Sequence, residues 1–190
     1  MLAADRRSPA WRVFACAMAA AALAAGQARA GDSQAGQPDE SFWSRVTLVV
    51  PVYTHHFPNS GQFDDQNWGA FANVAITQHW SVVGGDYINS FRRNTVFAGA
   101  SFTPVGFDLG KVRLTPGVMA GVDLNGGYHG HNPLEPLLGA LELNVTGEHL
   151  EQTRYRILDR MGLAIILMPG GFNQRGAVPV NLALTYRFGG

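Results

Sequence analysis

From about residue 46 onward, apolar and polar side chains alternate with a period of two rather than 3.6. The clearest stretch is the last: Val180, Leu182, Leu184, Tyr186 and Phe188 share one face, and Asn181, Ala183, Thr185 and Arg187 share the other. Residues 112–123 behave alike, with Val112, Leu114, Val118 and Val122 opposed to Arg113, Thr115, Gly117, Gly121 and Asp123. In 67–77, Trp68, Val74 and Ile76 face away from Asn67, Gly69, Asn73 and Thr77. The pattern predicts eight strands, over 46–56, 67–78, 80–90, 94–103, 112–123, 134–146, 160–168 and 178–188. Runs of roughly 9 to 13 residues have the length of tilted, membrane-spanning strands. The connections after the first, third, fifth and seventh are rich in Gly, Asn, Pro and His, as turns and loops require. Those after the second and fourth are short. The link after the sixth, GEHLEQTRYRILD, is longer and charged, and reads as either a strand extension or a short helix.

The composition of the two faces separates two kinds of barrel. A soluble, lipocalin-like barrel places large apolar residues inside and polar ones outside, whereas a membrane barrel reverses this. Here the face opposite the bulky residues is mostly Gly, Ala, Ser, Thr and Asn with isolated charges. It lacks the Lys and Glu that decorate a soluble exterior. The predicted fold is therefore all-β: an eight-stranded antiparallel transmembrane β-barrel. A soluble exported barrel or sandwich is the competing architecture.

The first thirty residues belong to a different category. Arg6, Arg7 and Arg12 precede a 13-residue apolar stretch from Val13 to Ala25, and Ala28-Arg29-Ala30 supplies small residues at the spacing of a signal-peptidase site. These are the parts of a secretory signal, and the run is too short to span a bilayer as a helix. Cys16 lies inside it, so the exported portion has no thiol chemistry. Residues 31–45 read as a polar, flexible lead-in ending in a short amphipathic helix, with Phe42 and Trp43 suited to a membrane interface. Residues 46–190 make up the barrel. In 31–190, nine Arg and one Lys against thirteen Asp and Glu leave a net charge of −3, which carries no electrostatic footprint for nucleic acid. Nothing after residue 30 is apolar for long enough to be a spanning helix, so a spanning structure has to be a barrel.

Candidate chemistry enters with Leu48-Val49-Val50-Pro51-Val52-Tyr53-Thr54-His55-His56. A proline inside a β-run, followed by Thr and then a His five positions beyond the proline, resembles the first strand of the lipid A palmitoyltransferases of the PagP type. Further landmarks follow in the same order: Asp65-Gln66-Asn67-Trp68-Gly69, then Gly85-Asp86-Tyr87-Ile88-Asn89-Ser90, then Ala98-Gly99-Ala100. Thr115 to Gly121, Asn132-Pro133 with Pro136-Leu137-Leu138, and Met168-Pro169-Gly170 complete a likeness spanning roughly residues 42–188. The resemblance implies an eight-stranded outer-membrane barrel preceded by a short amphipathic helix. It implies an acyltransferase that moves a palmitoyl chain from a glycerophospholipid to lipid A, with the chain held in an apolar pocket inside the barrel. It also implies a rim site in which the family's His falls on His56 and its Ser on Ser90. The family's Asp position is occupied by Asn89.

Strand parity points to the same rim. Hairpin-linked strands alternate in direction, so the ends of the first strand (His56) and the third (Asn89-Ser90) meet. Acyl transfer needs a base for a hydroxyl proton and donors for an oxyanion. Asn89 can donate through its amide, but cannot charge-stabilise an imidazolium as a carboxylate does. Asp86, Asp64 and Asp65 are the carboxylates that could take that place, and the amide at 89 also motivates an alternative, a non-catalytic barrel with a structural or adhesion role. His55 falls on the opposite face, at an interface. His129-Gly130-His131 offers two imidazoles, short of a metal site. No Walker loop, dinucleotide glycine pattern or Gly-x-Ser-x-Gly elbow is present, nor the His-Ser signature of the lipid A deacylase barrels. The expected partners are membrane lipids (glycerophospholipid and lipid A), with no cofactor, no metal and no nucleic acid, in the bacterial outer membrane. The oligomeric state is open, a homodimer included.

Overall fold

The computed structural model describes residues 42–57, 63–126, 137–147, 159–168 and 178–189. Among them run nine strands: β1 (Val46–Phe57), β2 (Gly69–Ala75), β3 (Trp80–Ile88), β4 (Asn94–Phe102), β5 (Phe107–Leu109), β6 (Val112–Asp123), β7 (Leu137–Gly147), β8 (Met161–Leu167) and β9 (Val178–Arg187). All pairings are antiparallel. β1 pairs with both β2 and β9, and β4 pairs with β6, so eight strands close on themselves. The eight predicted strands are these eight. β5 is an addition that the alternation does not predict; it pairs with the start of β6 across a turn in which Gly110 takes a φ of +66°. Closure leaves no open edge strand among the eight, with β1 and β2 paired over Val46–Val49.

The interior is layered. Midway along the barrel, Val49, Phe71, Val83, Tyr87, Phe97, Ala140, Ala164, Ile166 and Ala183 form one apolar cluster, with Met119, Leu138 and Met168 packed against it. The ring of Phe71 lies 5.3 Å from Tyr87 and 6.2 Å from Phe97. Gly85 and Gly121 make room for these rings. A Cβ on Gly85 would come within 2.7 Å of the Phe71 side chain, and one on Gly121 within 2.6 Å of Phe97. Toward the rim where β1 begins and β9 ends, the inward positions turn polar: Thr47, Asn73, Ser81, Arg113, Glu142 and Asn144.

The outer wall is the reverse. Outward positions of β6 to β9, including Val118, Leu141, Leu163, Ile165, Leu182 and Leu184, carry no charge, and each of these six is exposed. Large aromatics collect near both rims: Trp43, Trp80, Phe102, Tyr186 and Phe188 at one, Tyr53, Phe57 and Trp68 at the other. Among the described residues the chain before β1 forms one 3-10 turn, Phe42–Arg45, and the expected interfacial helix is not seen there. Phe42 packs outside the wall with Val46, Val74, Val82 and Phe188, and the Arg45 guanidinium donates to the Ala75 carbonyl at 2.8 Å. The predicted signal and the rest of the lead-in lie outside the described residues, as do most of the charged link after the sixth predicted strand and the His129 and His131 pair.

One irregularity decides where the first strand's side chains go. Against β9, Pro51 pairs with Ala183 and Tyr53 with Leu182, so Val52 is an extra residue. This bulge shifts the phase of alternation by one. Below it Thr47, Val49 and Pro51 face inward; above it Thr54 and His56 do, while Val52 and Tyr53 are both exposed. Without the bulge, His55 would face in and His56 out.

Candidate functional site

Three segments converge at the rim where β1 ends. β1 delivers Thr54 and His56 inward. The segment 63–68, leading into β2, brings Phe63, Asp65 and Asn67. The turn after β3 brings Asn89 and Ser90. Backbone hydrogen bonds stitch them together: Thr54 N–H donates to the Asp65 carbonyl at 2.9 Å, Asp64 N–H to the Ser90 carbonyl at 3.1 Å, and Ile88 N–H to the Trp68 carbonyl at 2.7 Å. The segment 63–68 is therefore anchored to both partners of the site, so its side chains are held by backbone geometry.

The His56 ring lies between two groups. Its Nε2 is 2.9 Å from Ser90 Oγ, and its Nδ1 is 3.2 Å from Asp65 Oδ1. The carboxylate accepts only, so Nδ1 carries the proton and Nε2 is the acceptor for the Ser90 hydroxyl. His56 is 2 % exposed and Asp65 40 %. Phe63 stacks on the imidazole with ring centroids 4.7 Å apart, and Phe91 meets the Phe63 ring edge-on. Behind Ser90, the Asn67 amide donates to Ser90 Oγ at 3.1 Å and to Thr54 Oγ1 at 2.8 Å. Thr54 donates in turn to Asn181 Oδ1 at 2.6 Å. A hydroxyl with a basic imidazole on one side and a carboxylate fixing that imidazole from the other is the arrangement of an activated nucleophile.

Asn67 also lines the cavity that occupies the barrel, about 1680 Å³ in volume. Its walls pass from the apolar layer of Val49, Phe71, Phe97, Met119 and Ile166 to the polar far end. The rim site thus sits one hydrogen bond away from a partly apolar chamber. At the rim's surface, Arg92 donates to Asp64 at 2.9 Å. The Asp64 carboxyl is held below its ordinary range, first by the Gln66 backbone N–H and also by Arg92.

The structure brings His56 and Ser90 into contact. Asn89 is differently engaged: its Oδ1 accepts from the Phe91 and Arg93 N–H groups at 2.9 and 3.1 Å, and its Nδ2 donates to Thr95 at 3.0 Å. It shapes the turn in which Arg92 takes a positive φ of 59°. Of the three carboxylates that could substitute, Asp65 reaches the imidazole. Asp64 pairs with Arg92, and Asp86 alternates outward, in register with Ala70 and Val96. His55 lies on the outer wall between Tyr53 and Phe57. Asn67 and Thr54 were absent from the expected site, although the alternation had already placed Asn67 on the inward face. Among the described residues, no three His, Cys, Asp or Glu converge as a metal site.

No protein-family model matches the chain, and no curated protein matches it. Among solved structures, one described as "De novo design of transmembrane beta-barrels" aligns with a TM-score of 0.44 at 13 % identity, covering 75 % of this chain and 95 % of that one. The lipid A palmitoyltransferase resemblance rests on the residues quoted for it.

Proposed function

We propose that this protein is an outer-membrane acyltransferase resembling the lipid A palmitoyltransferases, which moves an acyl chain from a glycerophospholipid to lipid A. The observation that carries the reading is His56 hydrogen-bonded to both Ser90 and Asp65, with Ser90 bonded in turn to Asn67 on the wall of a partly apolar cavity. The wall of β6 to β9 supports a membrane setting: uncharged, exposed outward positions between two aromatic rims are what a spanning barrel presents to lipid. The rim carrying His56 carries the connections 58–68, 124–136 and 168–177 against one of such length, 148–160, at the other rim, which supports its facing the cell exterior, where such barrels place their longer loops.

In this reading Ser90 Oγ attacks the ester carbonyl carbon of the donor while His56 Nε2 takes its proton. The new Oγ–C bond forms and the carbonyl π pair moves onto oxygen. Collapse breaks the bond to the glyceryl oxygen, which leaves with the proton from His56, and Ser90 holds the acyl chain. An acceptor hydroxyl then attacks the acyl carbon, giving its proton to His56. The Oγ–C bond breaks and Ser90 recovers that proton. Asp65 holds the tautomer and stabilises the imidazolium formed at each transfer. An amide at position 89 favours the non-catalytic alternative less once a carboxylate stands on Nδ1. The test is mass spectrometry of lipid A from a host lacking its own enzyme, with and without this gene. An added acyl mass that vanishes with Ser90→Ala is expected; no added mass counts against the reading.

A further inference from the structure

Asn67 is connected on both sides of the site in a way that neither packing nor the Ser90–His56–Asp65 arrangement requires. Its hydrogen bonds fix the orientation of its amide. Asp65 can only accept, so His56 donates from Nδ1 and accepts at Nε2, and the Ser90 hydroxyl hydrogen points to His56. Ser90 Oγ is then an acceptor on its other side. Thr54 donates to Asn181 Oδ1, while the Asn181 amide donates to the Ile166 carbonyl, so Thr54 Oγ1 is an acceptor as well. Both acceptors are filled by the two hydrogens of Asn67 Nδ2. The direction runs one way, and the amide cannot be flipped without breaking both bonds.

The other half of the amide is unsatisfied. Asn67 is 6 % exposed, and its Oδ1 is buried without a hydrogen-bond partner. Buried acceptors are normally paired, and an orphan in a residue that lines a cavity calls for a ligand that can donate. Asn67 also stands where the cavity meets the nucleophile. A chain lodged in the apolar layer with its ester at Ser90 must place the carbonyl beside this amide.

We propose that Asn67 is a catalytic residue of the acyl-transfer site: Nδ2 donates to the oxyanion of the tetrahedral intermediate, and Oδ1 accepts from the hydroxyl of the alcohol that leaves or attacks. This rests on the acyl-transfer reading above. When Ser90 Oγ bonds to the acyl carbon it becomes a poor acceptor, and negative charge appears one bond further on. The Nδ2 hydrogen that pointed at Oγ is then within a small rotation of the oxyanion. The donor is already buried and oriented, as effective oxyanion stabilisation requires.

The full-length barrel in detergent micelles tests this with an alkyl fluorophosphonate, which forms an Oγ–P bond at an activated serine and expels fluoride, leaving a phosphoryl oxygen in the oxyanion position. Wild type should label at Ser90 and Ser90→Ala should not. Asn67→Asp keeps size and the acceptor atom but loses the donor; Asn67→Ala loses both. The expected loss is about 10²–10³-fold in the maximal labelling rate for either, with Asp at least as slow as Ala and the half-saturating concentration unchanged. A role confined to packing would make Asp the milder variant. Wild-type labelling with Asn67→Asp within about threefold of it, or a loss confined to half-saturation, overturns the role of Asn67 alone. Absence of labelling in wild type overturns both this inference and the activated-serine reading beneath it.

Discussion

The two ends of the barrel interior use similar residues to different effect. At one rim Ser90 and Asp65 are joined through His56; toward the other, Ser101 donates directly to Glu142 with no imidazole between. Both serines are buried, and both are hydrogen-bonded. A carboxylate bonded directly to a hydroxyl satisfies two polar groups inside the wall. An intervening histidine adds a base that can take the hydroxyl proton and return it. The pairing of Ser with carboxylate is thus insufficient to mark a reactive site. What distinguishes the proposed site is the imidazole with its second nitrogen fixed, beside a residue, Asn67, that lines the cavity.

That contrast can be broken by substitution. The largest expected effect is at the rim: Ser90→Ala should lower acyl transfer about 10⁴-fold or more, whereas Ser101→Ala should leave it within about threefold, both measured by donor-dependent acylation in mixed micelles. His56→Ala should come next, at about 10²–10⁴-fold. Deleting Val52 should cost far less: it removes the bulge but leaves Tyr53, Thr54 and His56 opposite Leu182, Asn181 and Pro179, so His56 stays inward. His55→Ala should also cost little. A deletion of Val52 that abolished activity would show that the bulge does more than set one residue aside.

Asp65→Asn probes the orienting carboxylate. It should lower the maximal rate by about 10²–10⁴-fold by permitting the wrong tautomer, while Glu142→Gln at the far end changes the rate little. Asn89→Asp should bring no gain, because Nδ1 already has its carboxylate; a rise in rate on that change would displace Asp65 from the role. The smallest effect concerns the loop. The Asp64 carboxyl titrates below its ordinary value of 3.8. A group depressed in the fold contributes stability above its unfolded pKa and loses it as pH falls through the lowered folded value. Anchoring of 63–68 by Asp64 should therefore be constant from pH 5 to 8 and weaken only in acid. Asp64→Asn should abolish that acid dependence, read by amide hydrogen exchange at Asp64 and Gln66.

The wall was legible because each strand meets two unlike environments. Residues 178–188 and 112–123 announce their faces by simple alternation, and β9 and β6 follow them closely. β5 escaped because Phe107-Asp108-Leu109 is too short to carry a period. The second predicted strand overruns β2 because Ile76 and Thr77 continue the alternation, yet their N–H groups bond the Trp80 carbonyl in a turn. At the site, His56 and Ser90 were found through rim parity and resemblance. Asp65 could not be chosen over Asp64, since loop carboxylates have no periodicity and backbone bonds to β1 and the β3 turn decide which one points inward. The bulge was invisible for a related reason: an extra residue in a strand shows itself only against its partner, and Pro51 to Tyr53 must be read beside Ala183 and Leu182.

That bulge also has a genetic meaning. Because the extra residue is set aside between two matched pairs, the gain or loss of one codon there would leave Thr54 and His56 opposite Asn181 and Pro179. In an unbulged strand of fixed register the same change of length would carry every later side chain to the other face. Descendants of such an event would keep both the barrel and the buried imidazole. The count of residues between Pro51 and His56 could then vary by one while the inward side chains stay the same.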